Sequence, residues 1–515
     1  MHKIADAGCR FSDGVLRLIV EIYKCWNIGK VEEMGVIINF LHSIAKSLPE
    51  VKNPDRSPSA KERLIWTGLA LILFFIMYHV TAFGVRHQGA GFDFLQTITA
   101  SRTGSLLTAG IGPIVLASIF LQLFVGAGLI KLDMQNKDDK KKFHEVQKVV
   151  AILLAFVEAA IFVVTSRGFI VDPNLAAAFP FLPALIILQV AMGSVIMLYL
   201  DEIVSKYGIG SGISLFIAAG VSFQIFSQLL FLIFGANGVV SSLVEGGATA
   251  IPDALLTLLP FLFTVIVFFV SVYAEGIKVE IPIAFERMRG FVPKLPLKYF
   301  YVSNIPVIFA SALLLNVQLI AGGFLPKMTP DQAQNNFVAK YIGYVDPSSN
   351  QLSDGFLYFI TPVLGARGGG GTVDHFNYLV NGKTSINHIP EWVHALTYIL
   401  FLSFSSILFG IFWVETSNMD AKSVANQLTE SGMQIPGFRR DPRMLESILN
   451  KHIFPLTVLG SFSVGLLASV ADLTGALGTG TGILLTVSIL YRMYEQMEQM
   501  KMFELYPTLG KIVGQ

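Results

Sequence analysis

Ten apolar segments dominate this chain of 515 residues and limit what it can fold into. They lie at about 64–83, 110–130, 147–166, 181–203, 212–234, 254–275, 302–321, 394–415, 453–472 and 476–496. A helix needs roughly 20 mostly apolar residues to cross the hydrocarbon core of a bilayer. Inside that core every backbone N–H and C=O must be bonded within the protein, which a helix achieves. The sequence therefore predicts an all-α membrane protein with ten transmembrane helices.

Charged residues are scarce and unevenly placed along the chain. They make up 14% of it, against about a quarter in soluble domains, and the net charge of +1 gives no reason to expect DNA as a partner. Counted from Met34, most Lys and Arg residues fall in the segments that are cytoplasmic if the N-terminus is. By the positive-inside rule, we expect a multi-pass protein of the cell membrane with both termini in the cytoplasm.

The N-terminal region has two parts of different character. Residues 34–63 begin with an amphipathic stretch whose apolar residues recur at helical spacing. We expect residues 1–33 to be an upstream extension, with Met34 as the true start; the alternative is a genuine lineage-specific arm. Both cysteines, Cys9 and Cys25, lie in this segment, so we expect no disulfide framework or zinc cluster.

The rest of the chain divides into two halves of five predicted helices. These parts are the first half (64–234), an external loop (235–253), the second half (254–497) and a cytoplasmic tail (498–515). The second half carries two basic cytoplasmic loops, 276–300 and 417–452, and a long external loop, 322–392. Each basic loop is either a solvated segment that only fixes topology or a docking surface for an acidic partner such as a ribosome.

Four of the predicted helices begin with glycine or proline beside branched apolar residues. The apolar residues that follow these breaks are Ile111 and Val115 in helix two, Ile213 and Ile217 in helix five, Ile308 in helix seven and Leu485 in helix ten. Helices two and seven share a proline, and helices five and ten share alternating glycines. The helices of each pair are five spans apart. Because five is odd, the two helices cross the membrane in opposite directions. The pattern therefore predicts two inverted pseudo-symmetric halves with the functional site between them. Taken singly, each of these residues is equally explained by ordinary helix packing.

Several polar residues lie where helices facing lipid do not carry them. Residues 92–109 contain Asp93, Arg102 and several Ser and Thr, too polar to face lipid and too apolar for a plain loop. They form either an interfacial helix or backbone that lines a cavity within the protein. Glu158 and Asn316 interrupt apolar runs. An ionisable group there indicates function, although a neutral Glu hydrogen-bonded between helices is the structural alternative.

Residues 199–221, YLDEIVSKYGIGSGISLFIAAGV, resemble the junction of the fourth and fifth helices in the SecY family, in its archaeal form. VEIP…YVSNIP, FGIFWVET, PGFRR, GALGTGTG and LLTVSILYRMYEQM also resemble archaeal family segments and follow in family order. The similarity runs from about Met34 to the end and is much weaker in 235–253 and 322–392. It implies a channel that passes unfolded polypeptide across the membrane or sideways into lipid, with no motor and no cofactor of its own.

The resemblance also implies roles for particular residues. Residues 92–109 match the plug, a short half-helix that fills the external funnel. The implied sets are a pore ring of Ile111, Val115, Ile213, Ile217, Ile308 and Leu485; plug residues Phe94, Thr97, Ser101 and Arg102; and lateral-gate residues Leu116, Glu158 and Asn316, between helices two/three and seven/eight. Leu116 replaces a Thr of archaeal relatives, which removes one polar group from the gate.

The partners implied by the resemblance are a SecE-type small subunit that clamps the two halves, a second small subunit (beta), the ribosome with its targeting receptor, signal peptides and nascent chains, and membrane lipid. Clustered Arg and Lys bind RNA phosphates. The ribosome-contact residues implied in the two basic loops are Arg287, Arg289, Lys294, Arg439 and Arg440.

Two other classes of protein share some of these features. A secondary transporter of a small solute also has inverted repeats and broken helices, but it usually places ion-coordinating groups where this chain has isoleucine and valine. An intramembrane metalloprotease needs the motif HExxH, which does not occur among the nine histidines. A nucleotide-binding site is not expected either, because the glycine-rich sequence GARGGGGT lacks the Lys of a phosphate-binding loop. We therefore do not expect an enzyme, and the transporter remains the alternative.

Overall fold

The computed structural model describes residues 38–56, 58–87, 96, 99–126, 129–130, 132, 136–165, 169–235, 238–245, 250–282, 284–285, 294–347, 352–363, 372–430, 433–434 and 442–505. Ten long helices organise these residues. They are α1 (Ala60–His79), α2 (Gly112–Gly126), α3 (Lys137–Thr165), α4 (Leu182–Tyr207), α5 (Gly212–Phe234), α6 (Leu259–Gly276), α7 (Ile305–Phe324), α8 (Glu391–Thr416), α9 (Pro442–Leu473) and α10 (Gly480–Leu505). Each overlaps one predicted span, so the predicted helix order is confirmed.

Most of these helices are long and apolar enough to cross a membrane. Within the described residues, α3, α4, α5, α6, α8 and α9 lie in helical segments long and apolar enough to cross a membrane, and α2 and α7 are shorter apolar helices. The chain is therefore a multi-pass membrane protein. Helices α3 and α9 begin well before the predicted boundaries at 147 and 453. Their first turns are rich in Lys, Asp, Glu and Arg, which a criterion of apolarity does not detect.

The core of the protein joins both halves of the chain. Its largest cluster of buried apolar residues draws on α1, α2, α4 and α5 from the first half and on α7, α8, α9 and α10 from the second. A second cluster packs Ala159 and Phe162 of α3 against Leu315 and Leu319 of α7. The contact between α8 and α9 is close because a Cβ added to Gly465 would lie 2.8 Å from Ser403 Cα.

The loops that the sequence predicts to be external carry small folded elements. Strand β1 (Val85–His87) pairs antiparallel with β2 (Phe169–Val171), beside an Arg86–Asp172 ion pair of 2.9 Å. The long loop 322–392 contains strands β6 (Tyr344–Val345) and β7 (Leu352–Ser353) and four short helices at Pro330–Ala333, Phe337–Tyr341, Gly355–Phe359 and Thr372–Asn381. The loop that resembles the family least is thus a folded unit.

A buried carboxylate holds this external unit together. Asp354 accepts hydrogen bonds from the backbone N–H groups of Gly355, Ile386 and Asn387 at 2.8–2.9 Å, and from Asn387 Nδ2 at 2.7 Å. Burial alone would raise the pKa of Asp354, but these donors stabilise the carboxylate and bring its pKa below the usual value.

The two basic loops, which the sequence predicts to be cytoplasmic, meet in the structure. Strands β3 (Lys278–Pro282) and β5 (Lys294–Lys298) pair as an antiparallel ribbon within the first loop. Strand β4 (Ala284–Phe285) pairs with β8 (Met433–Gln434), which belongs to the second loop. That second loop also contains a helix, Ala421–Glu430. The two segments therefore form one joined protrusion.

The close contact of α8 and α9 generates a stability prediction. Replacing Gly465 by Ala forces a methyl group against the Ser403 backbone, and overpacking of this kind costs about 1–3 kcal/mol. We expect a lower thermal midpoint for Gly465→Ala in detergent. The matched control is Gly68→Ala in α1, where a Cβ meets nothing within 4 Å. An unchanged midpoint for Gly465→Ala would contradict the packing described here.

Candidate pore and gate

The six predicted ring residues belong to a single hydrophobic cluster. Ile111 and Val115 of the second helix region, Ile217 of α5 and Leu485 of α10 are buried in it, and Ile213 and Ile308 are partly buried against it. The sequence therefore brings together residues from four helices and from both halves of the chain. Their role as a constriction stays a prediction.

A hydrogen bond joins the start of α7 to α10, next to the predicted ring residues Ile308 and Leu485. Asn304, buried just before α7, donates from Nδ2 to the carbonyl oxygen of Leu484 at 2.9 Å. Its own carbonyl accepts from the N–H of Ile308 at 3.1 Å. Asn304 therefore connects the backbone at Ile308 with the backbone at Leu484, the residue before Leu485. Sequence reasoning noted the NIP motif for its proline and missed the side chain that precedes it.

Helices α5 and α10 meet at the broken start of α10. The N–H of Gly478 donates to Gln228 Oε1 of α5 at 2.8 Å. A Cβ on Gly478 would lie 2.5 Å from Ile225 Cγ1, so only glycine fits without displacing α5. The glycines of GTGTG therefore permit close packing between the halves beside the ring.

The described part of the predicted plug is buried inside the protein. Residue 96 is helical, and residues 99–109 form turns and irregular backbone instead of the predicted half-helix. Phe94 and Thr97 lie outside the described residues. Ser101 is fully buried, and its hydroxyl lies 2.6 Å from Thr99 Oγ1. Arg102 lies 6.0 Å from the ring centroid of Tyr78 in α1.

Close backbone contacts hold residues 99–109 in place. The N–H of Ile111 donates to Thr99 O at 2.9 Å, and the segment also bonds to the end of α1, with Leu106 N–H donating to Val80 O at 3.0 Å. A Cβ added to Gly193 of α4 would lie only 1.9 Å from Leu106 O. The irregular backbone is thus surrounded by protein and touches the helix region that carries Ile111.

The three predicted gate residues are all buried, one in each of α2, α3 and α7. Helix α7 contacts both α2 and α3, and α8 contacts α2. Glu158 faces α2, because a Cβ on Gly112 would lie 2.9 Å from Glu158 Oε2, and Oε1 has no hydrogen-bond partner among the described residues. Asn316 Nδ2 donates back to Ala312 O of its own helix at 2.9 Å. Leu116 is buried in α2.

The predicted ribosome contacts fall largely outside the described residues. This applies to Arg287, Arg289, Arg439 and Arg440. Lys294 opens β5 and pairs in register with Pro282 of β3. The protrusion formed by β3, β4, β5 and β8 therefore supports the loops in which these residues occur.

Two acidic residues close to the ring were also not predicted to have a role there. From the sequence, no role is assigned to Asp201 or Asp472. In the structure Asp201 Oδ1 accepts the N–H of Ile213, and Asp472 Oδ1 accepts the N–H of Thr481. The sequence pattern that could have revealed them is an Asp shortly before the glycine-rich start of a helix, a pattern that occurs in both halves.

Comparison with known proteins identifies a family. The SecY family model matches residues 105–494. A protein translocase subunit SecY of Methanococcus vannielii is 44% identical over 476 residues, which cover 92% of this chain and 98% of the relative. The corresponding subunit of Methanocaldococcus jannaschii is 42% identical over 475 residues, again covering 92% of this chain and 98% of the relative.

Solved structures are similar over the same extent. One, described as the structure of a protein conducting channel, has a TM-score of 0.72 and 40% identity, and covers 90% of this chain and 98% of its own. A second is Sec61 in a canine ribosome-channel complex from the endoplasmic reticulum, with a TM-score of 0.70, 39% identity and the same coverage. A third concerns the plug domain of a SecY protein, which is said to stabilise the closed state and maintain a membrane seal; its TM-score is 0.70 at 38% identity, with coverage of 90% and 98%.

The burial of Ser101 leads to a prediction about accessibility. With Cys9 and Cys25 replaced by serine, a Ser101→Cys variant should react slowly with a membrane-impermeant thiol reagent, because position 101 is fully buried. Adding Gly193→Ala should raise the labelling rate severalfold by displacing Leu106. Adding Gly68→Ala instead should leave the rate unchanged. Fast labelling of Ser101→Cys alone would show that the segment is not packed as described.

Proposed function

The chain belongs to the SecY family, and we propose that it forms a channel that moves unfolded secretory polypeptides across the membrane and releases transmembrane segments sideways into lipid. The observation that carries the proposal is that six branched apolar residues from four broken helix starts belong to, or pack against, one apolar cluster that joins both halves. Such side chains offer a passing peptide no fixed hydrogen-bond partner, so passage does not depend on sequence. A hydrophobic constriction also excludes water and ions when it is closed.

The buried segment 99–109 acts as the plug in this proposal. It lies against α4 at Gly193 and against α5 at Gly220, where a Cβ would approach Ala100 Cα to 3.5 Å. Helix α5 carries Ile213 and Ile217, so the plug contacts an element of the ring. The related protein whose plug is said to maintain a membrane seal supports this assignment. Because Ser101 and its neighbours are polar, the segment can also leave for a water-filled vestibule.

The lateral gate lies between α2/α3 and α7/α8. These helices touch in the structure, which corresponds to a closed gate. The contact is formed by apolar residues such as Ala159, Phe162, Leu315 and Leu319. Inside a bilayer, lipid tails are as apolar as leucine, so separating such surfaces costs little. A signal sequence or an emerging apolar helix can therefore intercalate between them.

The cytoplasmic protrusion is the proposed docking surface for the ribosome and its targeting receptor. The canine relative is described within a ribosome-channel complex, and the pairing of β4 with β8 makes one rigid support from two loops. The basic residues Arg287, Arg289, Lys294, Arg439 and Arg440 would bind RNA phosphates. A SecE-type subunit and a second small subunit complete the channel complex, and both termini lie in the cytoplasm of the cell.

Two features separate this proposal from a solute transporter or an enzyme. A transporter needs polar groups that bind its ion or solute at the midplane, whereas the broken helices here lead to Ile, Val and Leu. An intramembrane metalloprotease needs HExxH, a spacing that the nine histidines do not provide. The driving force must then come from a partner, such as the translating ribosome or a binding reaction on the far side.

The ring assignment predicts the ion leak of the resting channel. A channel with Ile111→Gly, Ile217→Gly and Leu485→Gly should conduct severalfold more ions in planar bilayers than the parent, because the gap admits water. The control is Ile186→Gly in α4, an equally buried isoleucine of another cluster. Resting conductance equal to that of the parent would remove the ring from the proposal.

A further inference from the structure

We propose that Asp201 and Asp472 are paired positioning residues, one in each half, that hold the first turns of α5 and α10 and thereby set the apolar ring. This inference rests on the proposed function, since it takes Ile213, Ile217 and Leu485 as parts of the constriction. The two residues occupy equivalent places. Each lies near the end of the helix that precedes a broken helix, Asp201 in α4 and Asp472 in α9.

Asp472 connects three helices of the second half. Its Oδ1 accepts the N–H of Thr481 at 3.0 Å, and its Oδ2 accepts the hydroxyls of Thr481 at 2.6 Å and of Tyr398 at 2.8 Å. The residue is 4% exposed. A buried carboxylate is tolerated only when it is well hydrogen-bonded. Here it receives an otherwise unpaired N–H at the positive end of α10.

Asp201 makes the matching contact in the first half. Its Oδ1 accepts the N–H of Ile213 at 2.8 Å, and Ile213 is itself a ring residue. The carboxylate therefore binds the backbone of the residue whose side chain enters the ring. Asp201 also accepts the hydroxyl of Ser205 from its own helix at 3.5 Å, whereas the second hydroxyl on Asp472 comes from a third helix through Tyr398.

A glycine accompanies each aspartate, and this repetition argues against two unrelated helix caps. A Cβ on Gly212 would lie 2.5 Å from Asp201 Cα, and a Cβ on Gly480 would lie 2.4 Å from Asp472 N. Any side chain at either position would push the first turn away from its aspartate. The same acid and glycine pair thus occurs five helices apart, once in each half.

The consequence for the ring is geometric. Ile213 lies in the first turn of α5, and Leu485 lies in the second turn of α10. A helix that begins inside the membrane cannot use bulk water for its first N–H groups. If the carboxylate is lost, the first turn must shift or unwind to find other acceptors. The side chains of the ring then move with it and the constriction widens.

The test measures resting conductance of the channel complex in planar bilayers. Leu485→Gly reports on the ring itself. Asp472→Ala, Asp201→Ala and Tyr398→Phe report on positioning; Tyr398→Phe removes one of the three bonds to Asp472. We expect a severalfold rise for each alanine variant, a smaller rise for Tyr398→Phe, and an intermediate rise for Asp472→Asn, which keeps one acceptor oxygen. The matched control is Asp354→Ala, which removes a hydrogen-bonded carboxylate from the external unit, far along the chain from the ring.

Each outcome separates this inference from the proposed function. If Leu485→Gly leaves conductance unchanged, the ring assignment fails. A second outcome is that Leu485→Gly raises conductance while Asp201→Ala and Asp472→Ala do not. If these two variants then only lower the thermal midpoint, as Asp354→Ala does, the aspartates merely stabilise the fold and the inference is wrong. If Asp472→Ala does not fold, Tyr398→Phe decides for the second half: a rise supports positioning and unchanged conductance overturns it.

Discussion

Backbone hydrogen bonding inside a membrane is the constraint on which the rest of this structure depends. A helix bonds the backbone of its own interior, but its first N–H groups have no partner within the helix and need acceptors from elsewhere in the protein when lipid surrounds them. The chain solves this with carboxylates at α5 and α10 and with the Thr99 carbonyl ahead of α2. Because these acceptors belong to protein, the broken helix starts can surround a space that opens to water only when the channel does.

Much of this architecture could be predicted from sequence because it depends on hydropathy and on glycine and proline. The ten spans follow from apolar length. The glycine and proline breaks are visible in the sequence, but the ring residues beside them were identified through the family resemblance. The polar extensions of α3 and α9 were missed because charged residues form helices without being apolar. The folded state of loop 322–392 was also not predicted, since its cohesion comes from Asp354 receiving donors that lie about 30 residues further along the chain.

The contacts that best define the site join residues that are distant along the chain. A single sequence does not show which of its residues lie close together in space. Gly193 gives no local sign that it lies against Leu106, and Asn304 gives none that it reaches Leu484. Asp201 and Asp472 were visible as residues but not as partners of a helix start. Conversely, the polar gate that the family resemblance implies stays a prediction. Leu116 supplies no hydrogen bond, Asn316 bonds within α7, and the seam is held chiefly by apolar contacts that lipid can replace.

The central claim is that polypeptide passes through the ring formed at Ile111, Val115, Ile213, Ile217, Ile308 and Leu485. The most direct measurement places a photo-crosslinker at Ile213 and engages the channel with a ribosome stalled on a half-exported secretory chain. The account predicts a crosslink between position 213 and the nascent chain, and none with a stalled cytosolic chain. An inserted nascent chain that crosslinks at none of Ile213, Ile308 and Leu485 would contradict it and make these residues part of the packing alone.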